Sequence, residues 1–313
     1  MNLGAHRASS LLYNFVKTYN RGVYILPANV CPVVPLTFVK AGVSFEFIDI
    51  HPLSLCIDEK TLIKTVEKSL GKYAGVVFVR TYGYQNNTDL LFRILKERKP
   101  DFKIIDDKCL CFPDSNPIQP NVDMELFSTG YAKSLDLKGG GYAKLGNSIS
   151  FNKNHSQYDS NAYSMLESNY KSSLASGSRI KDINQNWLNT EFWSIDLDEY
   201  FIEIEEQISV IKKHKKRLND IYKSDIPKEI QFQSEFQSWR FNILVNNKTA
   251  ILNELMKHGL FASSHYVPSN TLFDNDKHPN AEKLSCNIIN LFNDLYYTEE
   301  KAIDTCKIIR RNL

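Results

Sequence analysis

Between Ser9 and Asp107 the chain alternates short apolar runs with amphipathic segments, and this alternation narrows its fold more than any other feature. Ser9 to Tyr19 puts Leu11, Leu12, Phe15 and Val16 on one helical face. Val23 to Pro27 reads as a short strand, and Val33 to Ala41 as a helix stopped by Gly42. Ser44 to Ile48 is a strand, Thr61 to Leu70 a helix, and Gly75 to Arg80 a buried strand. Asp89 to Arg98 is a helix capped by Thr88 or Asp89, followed by a strand from Lys103 to Ile105. Strands that alternate with helices in this way predict an α/β fold with a mostly parallel sheet covered on both faces. In such sheets ligands sit at the carboxyl ends of the strands, where Thr81, Asp106 and Asp107 fall.

Past residue 150 the pattern changes. Asn152 to Asn189 is polar and weakly periodic, and reads as a mobile or substrate-covering segment. Leu197 to Tyr222 predicts a long bridging helix. Beyond it, Trp239–Val245 and Phe261–Val267 read as strands, and Lys248–His258, Ala281–Asn287 and Glu299–Arg311 as helices. The expected division is a large domain over 1–222 and a small α+β domain over 223–313.

Bulk properties exclude several functions. A formal net charge of +2 does not suit a nucleic-acid binder. The run Lys212-Lys213-His214-Lys215-Lys216-Arg217 reads as a solvated helix face. No apolar run reaches the ~20 residues that span a bilayer, and Met1 to Asn20 lacks the pattern of a signal peptide, so a cytoplasmic location is expected. The six cysteines are scattered. Cys109 and Cys111 lie close together, but no second pair or histidine cluster completes a zinc site, so reduced thiols and no metal are expected.

The chemistry concentrates around Lys133. It lies between the strand-like Phe127-Ser128 and the turn Gly139-Gly140-Gly141, where glycines let backbone approach a flat ligand. Ser128, five residues earlier, offers a hydroxyl to a phosphate. Arg7-Ala8-Ser9-Ser10 opens the first helix, whose N-terminus suits a phosphate; Ser9 reads equally well as a plain N-cap. Asp107, at a strand end, is suited to a protonated ring nitrogen, and equally to a turn. A lysine that forms a Schiff base and an aspartate that holds a pyridinium nitrogen are the two groups that pyridoxal 5'-phosphate (PLP) chemistry most needs.

In order and spacing these pieces resemble the DegT/DnrJ/StrS family of PLP-dependent nucleotide-sugar aminotransferases. Ile25 to Cys31 is similar to that family's V-P-A-Y-T strand end, and Ala41-Gly42-Val43 to Ile50 to its G-A…F-V-D-I segment. Tyr82-Gly83 with the following Asp89 resembles Y-G-x-x-x-D, Ile104 to Asp107 resembles I-I-E-D, and Phe127 to Lys133 resembles F-S-F-x-x-x-K. Ser264 to Pro268 resembles the H-Y-x-P turn. The resemblance implies a fold-type-I transferase and a homodimer with its site at the subunit interface. It implies PLP held by Asp107, Ser128, Ala8 and Ser9, with Lys133 as Schiff-base lysine and proton carrier. It also implies an amino-acid donor, usually glutamate, a sugar-nucleotide acceptor and a role in surface polysaccharide or amino-sugar synthesis.

Three departures accompany it. Leu110 stands where the family has Gln or His, and Cys31 where it often has a stacking aromatic residue. The chain also begins almost at the phosphate helix, a shortened N-terminus. Arg80 and Arg240 compete to bind a donor carboxylate; Arg80 reads equally as a structural ion pair, and Arg240 rather as a strand residue facing water. His265 and Tyr266 are candidates for the mouth of the site, or for a structural turn. Alternative readings are another PLP reaction on the same scaffold, such as elimination or dehydration, and a non-catalytic relative.

Overall fold

The computed structural model describes residues 2–150, 154, 156–181, 183, 185–190, 196–268, 270–273 and 276–313. An edge strand, β1 (Asn2–Ala5), leads into helix α1 (Ala8–Thr18). Strand and helix then alternate through β2 (Val23–Pro27), α2 (Val33–Ala41), β3 (Phe45–Ile48), α3 (Glu59–Lys68), β4 (Tyr73–Val79), α4 (Asp89–Arg98) and β5 (Lys103–Asp107). Two further strands, β6 (Met124–Ser128) and β7 (Gly141–Leu145), complete a seven-stranded sheet of order β1-β7-β6-β5-β4-β2-β3. β2 to β6 run parallel, and β7 alone is antiparallel to both of its neighbours. This is the α/β sheet that the alternation predicts.

The sheet is covered on both faces, so its central strands read as unbroken apolar runs. Leu26, Val77, Val79, Ile105 and Leu126 point to one side with Leu11, Phe15 and Phe38 of α1 and α2. Ile25, Val76, Phe78 and Ile104 point to the other with Leu62, Val66, Leu91 and Phe92 of α3 and α4. Fully burying side chains of this size contributes ~1.5–3 kcal/mol each. α2 ends as the sequence predicts, with Gly42 in the left-handed region at φ 68°. α4 departs from expectation at its start. Thr88 stands at the N-cap without capping, its hydroxyl accepting instead from Arg80 Nη2 at 2.8 Å.

After β7 comes α5 (Ser160–Ser176), a helix within the stretch expected to be irregular. Part of that stretch, 152–153, 155, 182 and 184, lies outside the described residues. The 29-residue α6 (Leu197–Asp225) follows. Its buried stripe runs through Tyr200, Ile204, Ile211, Lys215, Leu218 and Tyr222. The first half of the stripe packs on Phe127 and Tyr142, the second half on the C-terminal core. Lys215 corrects the reading of the basic run as a solvated face: it is buried, and donates to Trp239 O and Asn293 Oδ1 at 2.7 Å each.

The remaining elements are β8 (Phe241–Leu244), α7 (Lys248–Lys257), β9 (Ala262–Ser263), α8 (Asn270–Phe273), α9 (Pro279–Asn287), β10 (Ile288–Leu291) and α10 (Glu299–Arg311). The three strands form an antiparallel sheet of order β8-β10-β9. The predicted strand Phe261–Val267 shrinks to two residues, because beyond Ser263 the chain turns to side-chain partners: His265 N donates to Asn290 Oδ1. Asp49, just past β3, accepts from the amides of Asn280 and Ala281 and so caps α9. Among the described residues no helix is long and apolar enough to cross a membrane.

Candidate functional site

A cavity of about 440 Å3 opens at the carboxyl ends of β4, β5 and β6. Strand alternation decides which side chains enter it. Val79, Asp107, Leu126 and Ser128 share the face on which α1 and α2 pack, and all four line the cavity. Asp106 and Arg80 have the opposite parity. The Arg80 guanidinium is 3% exposed and grips Asp106 bidentately, Nε to Oδ1 at 2.7 Å and Nη2 to Oδ2 at 2.8 Å. It also donates to Asn86 and Thr88. Arg80 is therefore a structural cation on the other face of the sheet, and its reading as a substrate residue is corrected.

Asp107 is 6% exposed. Its Oδ1 accepts from the amide of Cys109 at 2.9 Å. Burial pushes its pKa up, opposed by that amide and by the charge on Lys133. Lys133 lies in the loop between β6 and β7. That loop is long because β7 reverses beside β6, with Ser128 opposite Gly141, while residues 129–140 extend over the strand ends. Asp136 shapes it, accepting from Ala132 N at 2.9 Å and from Lys138 N at 2.8 Å. Ala132 and Lys138 adopt left-handed φ values of 60° and 64°. Among the described residues the Lys133 ammonium has no ion-pair or hydrogen-bond partner, whereas the buried Lys144 and Lys215 each donate two hydrogen bonds.

Another part of the wall is the start of α1, joined to the end of the lysine loop by the bond from Gly140 N to His6 O at 2.9 Å. Arg7, not Ser9, occupies the N-cap position and makes no side-chain cap; Ser9 is the second residue of the helix and faces the cavity. α1 reaches this wall because Gly141 lacks a side chain: a Cβ there would stand 2.7 Å from Ala8 N and 2.8 Å from Phe127 O. Among the described residues Ser128 Oγ makes two long contacts, 3.5 Å to Gly140 O and 3.3 Å from Gly130 N, and keeps hydrogen-bonding capacity. A helix start without a side-chain cap and a hydroxyl beside it are donors of the kind that suits an anion.

Cys31, Leu110 and Tyr266 also line the cavity. Burial and contact with Cys31 push the Tyr266 hydroxyl well above its usual value. His265 and Arg240 lie behind this wall. The Arg240 guanidinium is 5% exposed, sits 3.9 Å from the ring centroid of Phe292 and 4.6 Å from that of Trp239, and donates to Ser263 Oγ. It precedes β8 and does not face water, contrary to expectation. Among the described residues it has no carboxylate within ion-pair distance, and burial lowers its pKa to about 10. Burial and the Arg240 charge hold His265 down at about 4, so its imidazole is neutral at physiological pH. Sequence reasoning missed Tyr131, Lys138 and Tyr163 in the cavity wall. Tyr163 arrives on α5, its ring 4.8 Å from the Arg7 guanidinium.

No family model matches the chain, and no curated protein matches it. Solved structures do. The sugar aminotransferase CalS13 from Micromonospora echinospora superposes with a TM-score of 0.73 at 13% identity, over 100% of this chain and 87% of its own. Spr1654 from Streptococcus pneumoniae in its PMP form gives 0.72 at 18%, over 100% and 88%. A DegT DnrJ EryC1 StrS aminotransferase from Brucella abortus gives 0.70 at 15%, over 99% and 85%. At these identities the likeness defines architecture, and the chain has the fold-type-I α/β fold of the PLP-dependent aminotransferases.

Proposed function

We propose that this protein is a PLP-dependent aminotransferase that moves an amino group from an amino acid, glutamate as the first candidate, to a keto-sugar nucleotide or related carbonyl compound. The observation that carries the reading is the meeting of Lys133, Asp107, Ser128 and the start of α1 around one cavity. The donor set fits the cofactor: a buried carboxylate for a protonated ring nitrogen, an unpaired lysine for an aldehyde, and a helix terminus with a hydroxyl for a phosphate. The likeness to sugar aminotransferases supports the acceptor class.

Bound PLP supplies an electron sink for the charge that develops when the donor's α-carbon loses its proton. Asp107 would hold the protonated ring nitrogen. The Ala8 and Ser9 region and Ser128 hold the phosphate and fix the ring's orientation. Lys133 Nζ would serve as the general base for the donor's α-proton and, once protonated, as the general acid that gives it back. Arg240 is assigned to the donor carboxylate, because its buried guanidinium has no carboxylate within ion-pair distance among the described residues, Asp294 acting on it only from further off. Tyr266 and Cys31 line the cavity, and His265 packs edge-on against Tyr266, ring centroids 4.8 Å apart.

With this function we assign residues 1–222 to a cofactor domain and 223–313 to a smaller C-terminal domain, a homodimeric assembly with a shared site, and a cytoplasmic role in surface polysaccharide or amino-sugar synthesis. The test is the absorbance of the purified protein with PLP, before and after glutamate. Bound PLP should absorb in the visible and bleach on glutamate addition, and Lys133→Ala should abolish turnover. Normal turnover by that variant would overturn the assignment. A band unchanged by any amino donor would favour elimination or dehydration on the same scaffold.

A further inference from the structure

The two chain neighbours of Lys133 are both tethered. Ser134 Oγ donates to Leu110 O at 2.5 Å, and Leu110 follows Cys109, whose amide holds Asp107. On the other side, Ala132 O accepts from the indole N–H of Trp239 at 2.8 Å. Ala132 has a φ of 60°, a conformation that residues with a Cβ avoid, and it is held from both sides, at its amide by Asp136 and at its carbonyl by Trp239. Trp239 is itself rigid. It is 3% exposed and stacked on Tyr82 with ring centroids 6.0 Å apart and planes 6° apart, and its carbonyl accepts from Lys215. It does not line the cavity; it enters the lysine loop from just before β8 of the C-terminal sheet.

We infer that Trp239 is a positioning residue for Lys133. Its indole N–H holds the Ala132 peptide so that the lysine stem leaves the loop toward Asp107, which makes lysine placement depend on docking of the C-terminal sheet. This rests on the function proposed above, and the experiment separates the two.

Apoprotein is mixed with PLP, reduced with borohydride, and the modified lysine located by peptide mass spectrometry. In parallel, affinity is measured for pyridoxine 5'-phosphate, which has the same ring and phosphate but no aldehyde. Wild type should carry the pyridoxyl group on Lys133. Trp239→Phe keeps an aromatic ring against Tyr82 and removes the donor. It should lower PLP capture at Lys133 by about fivefold, the effect of one buried hydrogen bond, and leave pyridoxine phosphate affinity unchanged. Equal PLP capture by variant and wild type overturns the positioning role. So does an equal loss for both ligands, which would mean a collapsed pocket. If Trp239→Phe does not fold, β-(3-benzothienyl)alanine at position 239 keeps the shape of the indole without its N–H, and the same outcomes apply. If wild type is not modified at Lys133, the functional reading fails and the positioning role with it.

Discussion

Asp106 and Asp107 are neighbours in sequence with opposite environments. Asp106 is neutralised by Arg80, whereas Asp107 is buried against the amide of Cys109 and its pKa is raised. A folded-state value above the unfolded one means that the native state resists losing that proton. Stability therefore falls as pH rises from the ordinary carboxylate range through the raised folded value, and at neutral pH the charged Asp107 is a cost. Asp107→Asn keeps an acceptor for Cys109 and removes the charge. The variant apoprotein should melt above wild type at pH 7, the difference should vanish below the carboxylate range, and PLP capture should weaken. Thermal melts across that range, with a PLP titration, check all three. The parity that separates Arg80 from the cavity was already present in the sequence: residues 78 and 80 share a face, as do 77 and 79. Which face carries the site is decided only by the docking of α1, and that is a long-range event.

Among elements, the junction of α1 with β7 leaves no room for a side chain. A Cβ at position 141 would meet backbone on two sides, and neither side is the end of a flexible chain. Gly141→Ala should destabilise the protein by about 1–3 kcal/mol through overpacking and displace the helix start from Ser128. A lower melting temperature and weaker pyridoxine phosphate binding would register the two effects. The helices with clear stripes or stop signals, α2, α4 and α10, were legible to the residue. β1, β7 and β10 were not: each has four or five residues and carries polar side chains such as Asn2, Lys144 and Asn290 inside the sheet. α5 shows only Ala162, Leu166 and Ser173 buried, too few to write a stripe into the sequence. Tyr163 was hidden for the same reason, since it reaches the cavity on a helix without a motif. Lys133, Asp107, Ser128, Ser9, Cys31 and Tyr266 stand in recognisable local contexts, and the structure gathers them around one cavity.

At the scale of the whole molecule, α6 joins the two sheets, and Lys215 is its one buried cation among the described residues. Burial pulls its pKa down to about 7 from 10.5. The folded-state value lies below the unfolded one, so the native state pays for the proton. The contribution to stability is complete above the unfolded value and is lost as pH falls through 7. Lys215→Met does not titrate there. Wild type should gain about 2 kcal/mol over the variant between pH 7 and 9, read from denaturant midpoints at each pH. A constant difference would mean that Lys215 stays protonated throughout.

The cap that Asp49 places on α9 has a consequence in time. Its bond to the amide of Ala281 spans 232 positions. During synthesis β3 leaves the ribosome long before that amide exists, so Asp49 and the end of its strand stay solvated while the centre of the sheet assembles. Contacts this distant in sequence slow folding, because a long loop must close before they form. The nascent chain therefore carries an unfinished sheet margin until α9 has been made, and that helix is the one that seals it.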